Sequence, residues 1–98
     1  SMTSGERIKQ LRLERNWSQA RLAKEVGLHT SSIQDWEAGI SLPSAKVLDR
    51  LCDLFNTSSD YILCRTDEES ISLHGFSPYE QILIKTIIQA IKNLHPPF

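Results

Sequence analysis

The sequence predicts an all-α fold, and two stretches carry that prediction. Between Trp17 and Gly39, two short apolar stripes at helical spacing are each opened by a capping residue and closed by a glycine. Between Ser77 and Leu94, a longer apolar stripe follows Ser77-Pro78-Tyr79-Glu80, a capping box with proline at the first helical position. A chain of 98 residues is most simply one domain, long enough for a small helical core. It has no internal repeat and no low-complexity tract.

The elements follow in order. Residues 4 to 15 read as a first helix: Ser4 can cap it, Glu6 suits its positive end, and Ile8 and Leu11 share a face. Asn16 suits a left-handed end. Ser18 then caps a second helix, in which Leu22, Ala23 and Val26 form the inward stripe and Gly27 stops the helix. Thr30 can cap a third, which turns Ile33 and Trp36 inward and ends at Gly39. Ala23 is small where these two helices must approach. After the loop 40–42 and Pro43, Ser44 caps a fourth helix over 45–55, expected to bury Val47, Leu48, Leu51, Cys52 and Phe55 before Asn56. Ser58 or Ser59 opens a short fifth helix with Tyr61, Ile62 and Leu63. Residues 65–76, charged at Arg65, Asp67, Glu68 and Glu69 and broken by Gly75, read as a linker. The last helix should run to about Leu94, where His95-Pro96-Pro97 prevents continuation.

The order Gln19-Ala20-x-Leu22-Ala23-x-x-Val26-Gly27, followed by Ser32-Ile33-x-x-Trp36-Glu37-x-Gly39, resembles the helix-turn-helix of the Cro and lambda-repressor type (XRE-like) transcriptional regulators. The likeness covers residues 5 to 64, in order and without gaps. It implies a compact bundle of five helices with the second motif helix in the DNA major groove. The organisation expected is a DNA-binding domain over 4–64, a linker over 65–76, and a C-terminal amphipathic helix over 77–95.

The resemblance also assigns roles. Thr30, Ser31, Gln34 and Asp35 would be base readers, since hydroxyls and an amide can bond base edges; the Asp35 carboxylate can accept from a cytosine amine, with the alternative that it simply repels wrong registers. No Arg or Lys lies on this face, so bidentate guanine recognition from it is not expected. Gln19, at a helix start, would donate to a phosphate, with the alternative of an ordinary exposed glutamine. His29 and Lys46 are phosphate candidates against a solvated alternative, and Trp36 is core with its indole N–H near a phosphate. Arg12 and Glu37 would form a structural brace that holds the recognition helix against its support.

The net charge of −1 hides an asymmetry. Residues 1–50 hold eight Lys/Arg against six Asp/Glu, and residues 51–98 hold three against six. The basic excess lies with the motif, as attraction to phosphates requires, but it is modest. No stretch is long and apolar enough to span a membrane. Ser1-Met2 reads as a tag remnant ahead of a native start with no signal peptide, so a cytoplasmic protein is expected. Cys52 and Cys64 read as buried thiols in a reducing compartment, with no metal and no cofactor. Nothing suggests an enzyme: no Ser/His/Asp set, phosphate loop or metal cluster can be assembled.

The C-terminal helix places Ile84, Ile87, Ile88 and Ile91 on one stripe, widened by Leu83 and Leu94. A 60-residue domain closes without it, so this face is expected to be a dimerisation surface; the alternative is that it folds back on its own domain. The resulting expectation is a repressor that binds a near-palindromic operator in double-stranded DNA as a homodimer. Two other readings keep the motif: an antitoxin with a toxin as protein partner, and a protein-interaction module that does not bind DNA.

Overall fold

The computed structural model describes residues 1–95. Six helices follow one another: α1 (Ser4–Glu14), α2 (Gln19–Val26), α3 (Thr30–Glu37), α4 (Ala45–Phe55), α5 (Ser59–Ile62) and α6 (Pro78–Asn93), with no strand among the described residues. The first five form the bundle. Its core is Ile8 and Leu11 from α1, Leu22, Ala23 and Val26 from α2, Ile33 and Trp36 from α3, Leu51 and Phe55 from α4, and Tyr61 and Ile62 from α5. The rim is partly buried: Val47, Leu48 and Cys52 pack against the core without being sealed in it, so α4 is buried less completely than its stripe suggested.

The helix ends show how the sequence stops and starts each element. Ser18, Ser44, Ser58 and Ser77 each accept a hydrogen bond from a first-turn amide, as their residue type predicts. Two caps differ from expectation. Thr3, not Ser4, caps α1, because Glu6 stands three residues after Thr3 and the two close a reciprocal capping box. His29 occupies the cap position of α3 with no side-chain bond, and Thr30 is already helical. Asn16 and Asn56 take the left-handed conformation at φ +58° and +50°, which ends α1 and α4.

Gly5 sets the distance between α1 and α3. A methyl group there would overlap the Trp36 carbonyl oxygen and stand 2.9 Å from its carbon. The backbones of the two helices meet at this point, and only a residue without Cβ permits it. Arg7 joins α1 to α5. It is buried, its guanidinium lies 3.7 Å from the centre of the Tyr61 ring, and Nη1 donates to the Tyr61 carbonyl at 3.1 Å.

Residues 65–76 have no regular structure but touch the bundle at several points: the Arg65 amide donates to the Asp60 carbonyl at 2.8 Å and its guanidinium lies 3.8 Å from the Asp60 carboxylate. Asp67 lies 3.7 Å from Arg7, and the Ser72 amide donates to Asn56 Oδ1 at 3.2 Å. No residue of α6 is buried, so the helix does not fold back onto the bundle; only Gln81 and Ile84 are half-buried. It ends at Asn93 with Leu94 as its C-cap, while Pro96 and Pro97 lie outside the described residues. Both cysteines are free and half-buried rather than sealed. Burial pushes the Cys52 thiol up, with Asp49 and Asp53 adding to it, and Cys64 Sγ donates to the Thr3 carbonyl at 3.4 Å. Among the described residues no helix is long and apolar enough to cross a membrane.

Candidate nucleic-acid interface

The two motif helices are held by one charged joint. Arg12 donates from Nε to Glu37 Oε2 and from Nη2 to Oε1, both at 2.8 Å, and from Nη1 to the Trp17 carbonyl at 2.8 Å. This is a two-point fork, and its side chains are only 8% and 6% exposed. The Glu37 hydrogen bonds push the Arg12 guanidinium above its ordinary value, against the opposing pull of burial. Gln19 joins them: its Nε2 donates to Glu37 Oε1 at 3.2 Å. α1, the start of α2 and the end of α3 therefore meet at one carboxylate. The brace expected between Arg12 and Glu37 is present. Gln19, expected to face outward to a phosphate, is half-buried with one amide hydrogen committed to Glu37 and a second still available.

Above the joint, α3 turns Ile33 and Trp36 into the core. That orientation leaves Ser31 and Gln34 exposed on the opposite side, with Thr30 and Asp35 half-buried beside them. None of these four side chains makes a hydrogen bond among the described residues, so their polar atoms are available to a ligand. Ala38, one turn beyond Gln34, is exposed too and continues the face with a side chain too small to hold a neighbouring surface away. Trp36 is 4% exposed, so its main role is packing.

The remaining candidates flank this face. His29 is exposed at the start of α3, and Lys46 is exposed in the first turn of α4 and makes no ion pair among the described residues. Most arginines of the bundle are otherwise engaged. Arg21 pairs with Glu25 at 2.8 Å, Arg50 donates to the Val26 carbonyl at 3.2 Å, and Arg15 lies over the rings of Phe55 and Trp17. No group of side chains among the described residues could hold a metal ion.

A helix-turn-helix family model matches residues 8–62, which is more than half of the chain. The chain belongs to the helix-turn-helix family. Within it, the chain is 34% identical over 64 residues to the HTH-type transcriptional regulator AnsR of Bacillus subtilis, covering 65% of this chain and 55% of that protein. It is 29% identical over 93 residues to the HTH-type transcriptional regulator ImmR of the same organism, covering 95% of this chain and 68% of that protein. The chain thus spans little more than half the length of AnsR. Among solved structures, the P22 c2 repressor in complex with a synthetic operator superposes with a TM-score of 0.62 at 33% identity, covering 64% of this chain and 96% of that one.

The helix-turn-helix match runs from Ile8, within α1, to Ile62 at the end of α5, and leaves the linker and α6 outside. Sequence reasoning missed three residues, two that set how the helices pack and one that extends the α3 face. Gly5 and Arg7 act through tertiary neighbours that no local pattern reveals. Ala38 was legible: it follows Ser31 by seven positions and Gln34 by four on the same helical face.

Proposed function

We infer that this protein is a transcriptional regulator that binds double-stranded DNA through α3, as a homodimer on a near-palindromic operator, and represses by occluding a promoter. The observation that carries the reading is the outward face of α3. Ser31 and Gln34 project with unsatisfied polar atoms from a short helix whose far end is clamped by the Arg12–Glu37–Gln19 joint. A rigid helix with free donors and acceptors suits a major groove, where Gln34 can meet an adenine edge and the Thr30 methyl a thymine methyl. Asp35 beside them would disfavour registers that bring an acceptor towards it. Phosphate contacts fall to Gln19 through its second amide hydrogen, to Lys46 and to His29, which flank that face.

The relatives support this reading: AnsR and ImmR are transcriptional regulators, and the P22 c2 repressor was solved on an operator. A single short helix reads few base pairs, so useful discrimination calls for two copies. Such a protein works in the cytoplasm beside the chromosome. The test is selection from a random DNA pool, followed by affinity measured at several salt concentrations. The expected result is a two-fold symmetric consensus, A·T-rich where Gln34 and Thr30 lie, with affinity falling as salt rises. Enrichment of no sequence, together with salt-independent binding or none, would refute the proposal.

A further inference from the structure

Nothing among the described residues covers the apolar face of α6. Leu83, Ile87, Ile88 and Ile91 are 45–59% exposed, and Leu94 is 76% exposed. Written as a seven-residue repeat, the helix places Ile84 and Ile91 at one seam position, and Ile87 and Leu94 at the other. The same repeat puts Glu80 in the seam, one heptad before Ile87.

We propose that two copies of this chain join through α6 in antiparallel orientation, about a two-fold axis near Gln89. The inference rests on the homodimer reading above and goes beyond it by fixing the direction of the pair and the spacing of the two DNA-binding bundles.

Glu80 decides the direction. In a parallel pair, like residues lie level, and each Glu80 faces Glu80 of the partner subunit in the first layer of the seam. Swinging that carboxylate aside would break the capping box, in which it accepts the Ser77 amide at 2.8 Å while Ser77 Oγ accepts the Glu80 amide at 3.1 Å. The Ser77 amide also holds the carboxyl below its ordinary value, so it is charged at neutral pH. Two fixed like charges in an apolar seam repel. In the antiparallel pair, Ile84 meets Leu94 of the partner subunit and Ile87 meets Ile91 of the partner subunit. All four layers are then apolar, and Glu80 lies outside them. At the axis Ile88 meets its own copy on one edge, and Ala90 meets its own copy on the other, where a small side chain lets the helices close. Lys85 and Lys92 point away from the seam.

The spacing follows from helix geometry. With the axis near Gln89, the two Pro78 positions stand about 33 Å apart along the pair, at 1.5 Å per residue. In a parallel pair they would be about 10 Å apart. Successive major-groove half-sites on one face of DNA are about 34 Å apart. The antiparallel pair therefore starts the two linkers at the separation that two recognition helices need.

Spin labels test the direction. The full chain with Cys52→Ser and Cys64→Ser would carry one label at Tyr79→Cys, an exposed position. Light scattering would establish its mass. The antiparallel pair predicts a label separation of about 30 Å, and a parallel one less than about 20 Å. A distance near 30 Å that disappears in an Ile87→Asp background supports the inference. A short distance in a dimer overturns the direction and leaves the homodimer standing. A distance that persists with Ile87→Asp moves the seam off α6 and overturns the inference. A chain that is monomeric at tens of micromolar overturns both readings.

Discussion

Replacing Gly5 with alanine sets two effects of opposite sign against each other. Alanine is the better helix former by up to about 1 kcal/mol, so propensity alone predicts a more stable protein. Packing predicts the reverse. The new methyl would overlap the Trp36 carbonyl oxygen, and its nearest neighbours are all backbone atoms of Trp36 and Glu37. No flexible side chain can yield, so α1 must move away from α3. That displacement strains the 2.8 Å fork between Arg12 and Glu37 and opens the core around Ile8 and Ile33. Overpacking a tight contact costs about 1–3 kcal/mol, and here backbone must shift, which favours the upper end. The net expectation is a loss of about 1–2 kcal/mol. For a chain of this size that lowers the melting temperature by roughly 4–16 °C. Circular dichroism melts of the two proteins measure it. A Gly5→Ala protein that melts at or above the parent temperature would refute the close approach of α1 and α3.

Other outcomes follow from the same geometry. Glu37→Ala strands the Arg12 guanidinium at a site only 8% exposed and should cost about 3 kcal/mol or more, read by denaturant unfolding; an unchanged midpoint would mean the fork contributes nothing. Gln34→Ala should relax preference at one or two base pairs by about 1–3 kcal/mol each, while Lys46→Ala should weaken all sequences alike and reduce the salt slope by about one; binding-site selection and salt titration separate the two. The cap hydrogen bonds at Thr3 and Ser77 hold the Glu6 and Glu80 carboxyls below their ordinary 4.5. A depressed folded value adds stability above the ordinary carboxylate range and loses it as pH falls through that folded value. Melting temperatures should therefore drop on acidification below pH 4.5, and less steeply in a Glu6→Gln variant, since Glu6 caps a helix of the bundle.

What could be read from the chain was what local chemistry decides. Ser18, Ser44 and Ser77 announced their helices because a hydroxyl before an apolar stripe has one good use there. Asn16 and Asn56 announced the ends. The α1 cap was misplaced by one residue because Thr3 and Ser4 are equivalent as hydroxyls, and only the spacing to Glu6 separates them. Thr30 lost its capping role for a related reason: the turn after Gly27 puts His29 at the boundary, and nothing local marks it. At the site, the Arg12–Glu37 pair was legible through the resemblance, but its extension to Gln19 was not. That link depends on how α2 and α3 pack together, which no local pattern measures. Gly5 and Arg7 belong to the same class. Each is ordinary within its own helix and becomes specific only when α3 or α5 arrives beside it.

The charge distribution links the face of α3 to the need for a partner. The bundle of α1 to α5 holds eight Lys/Arg against eight Asp/Glu, so it has no basic excess, and several of its arginines are turned inward or paired: Arg12 with Glu37, Arg7 with Tyr61 and Asp67, Arg21 with Glu25. Few cations remain to neutralise phosphates, so a single bundle would release few counterions and hold DNA weakly. The α3 face adds direction but no positive charge, since its outward residues are a threonine, a serine, a glutamine and an aspartate. On the proposed two-fold arrangement, α6 compensates. Once one bundle is bound, the second is held near its half-site at a high effective concentration, and the two weak affinities multiply. Operator occupancy should then depend on dimer formation through the isoleucine face, although no residue of that face touches DNA. An Ile87→Asp, Ile91→Asp variant should keep the thermal melt of the bundle, because α6 contributes nothing to its core, yet lose operator affinity by two to four orders of magnitude, on the order expected for loss of bivalency. Unchanged operator affinity in that monomer would show that one bundle suffices and would remove the functional reason for α6.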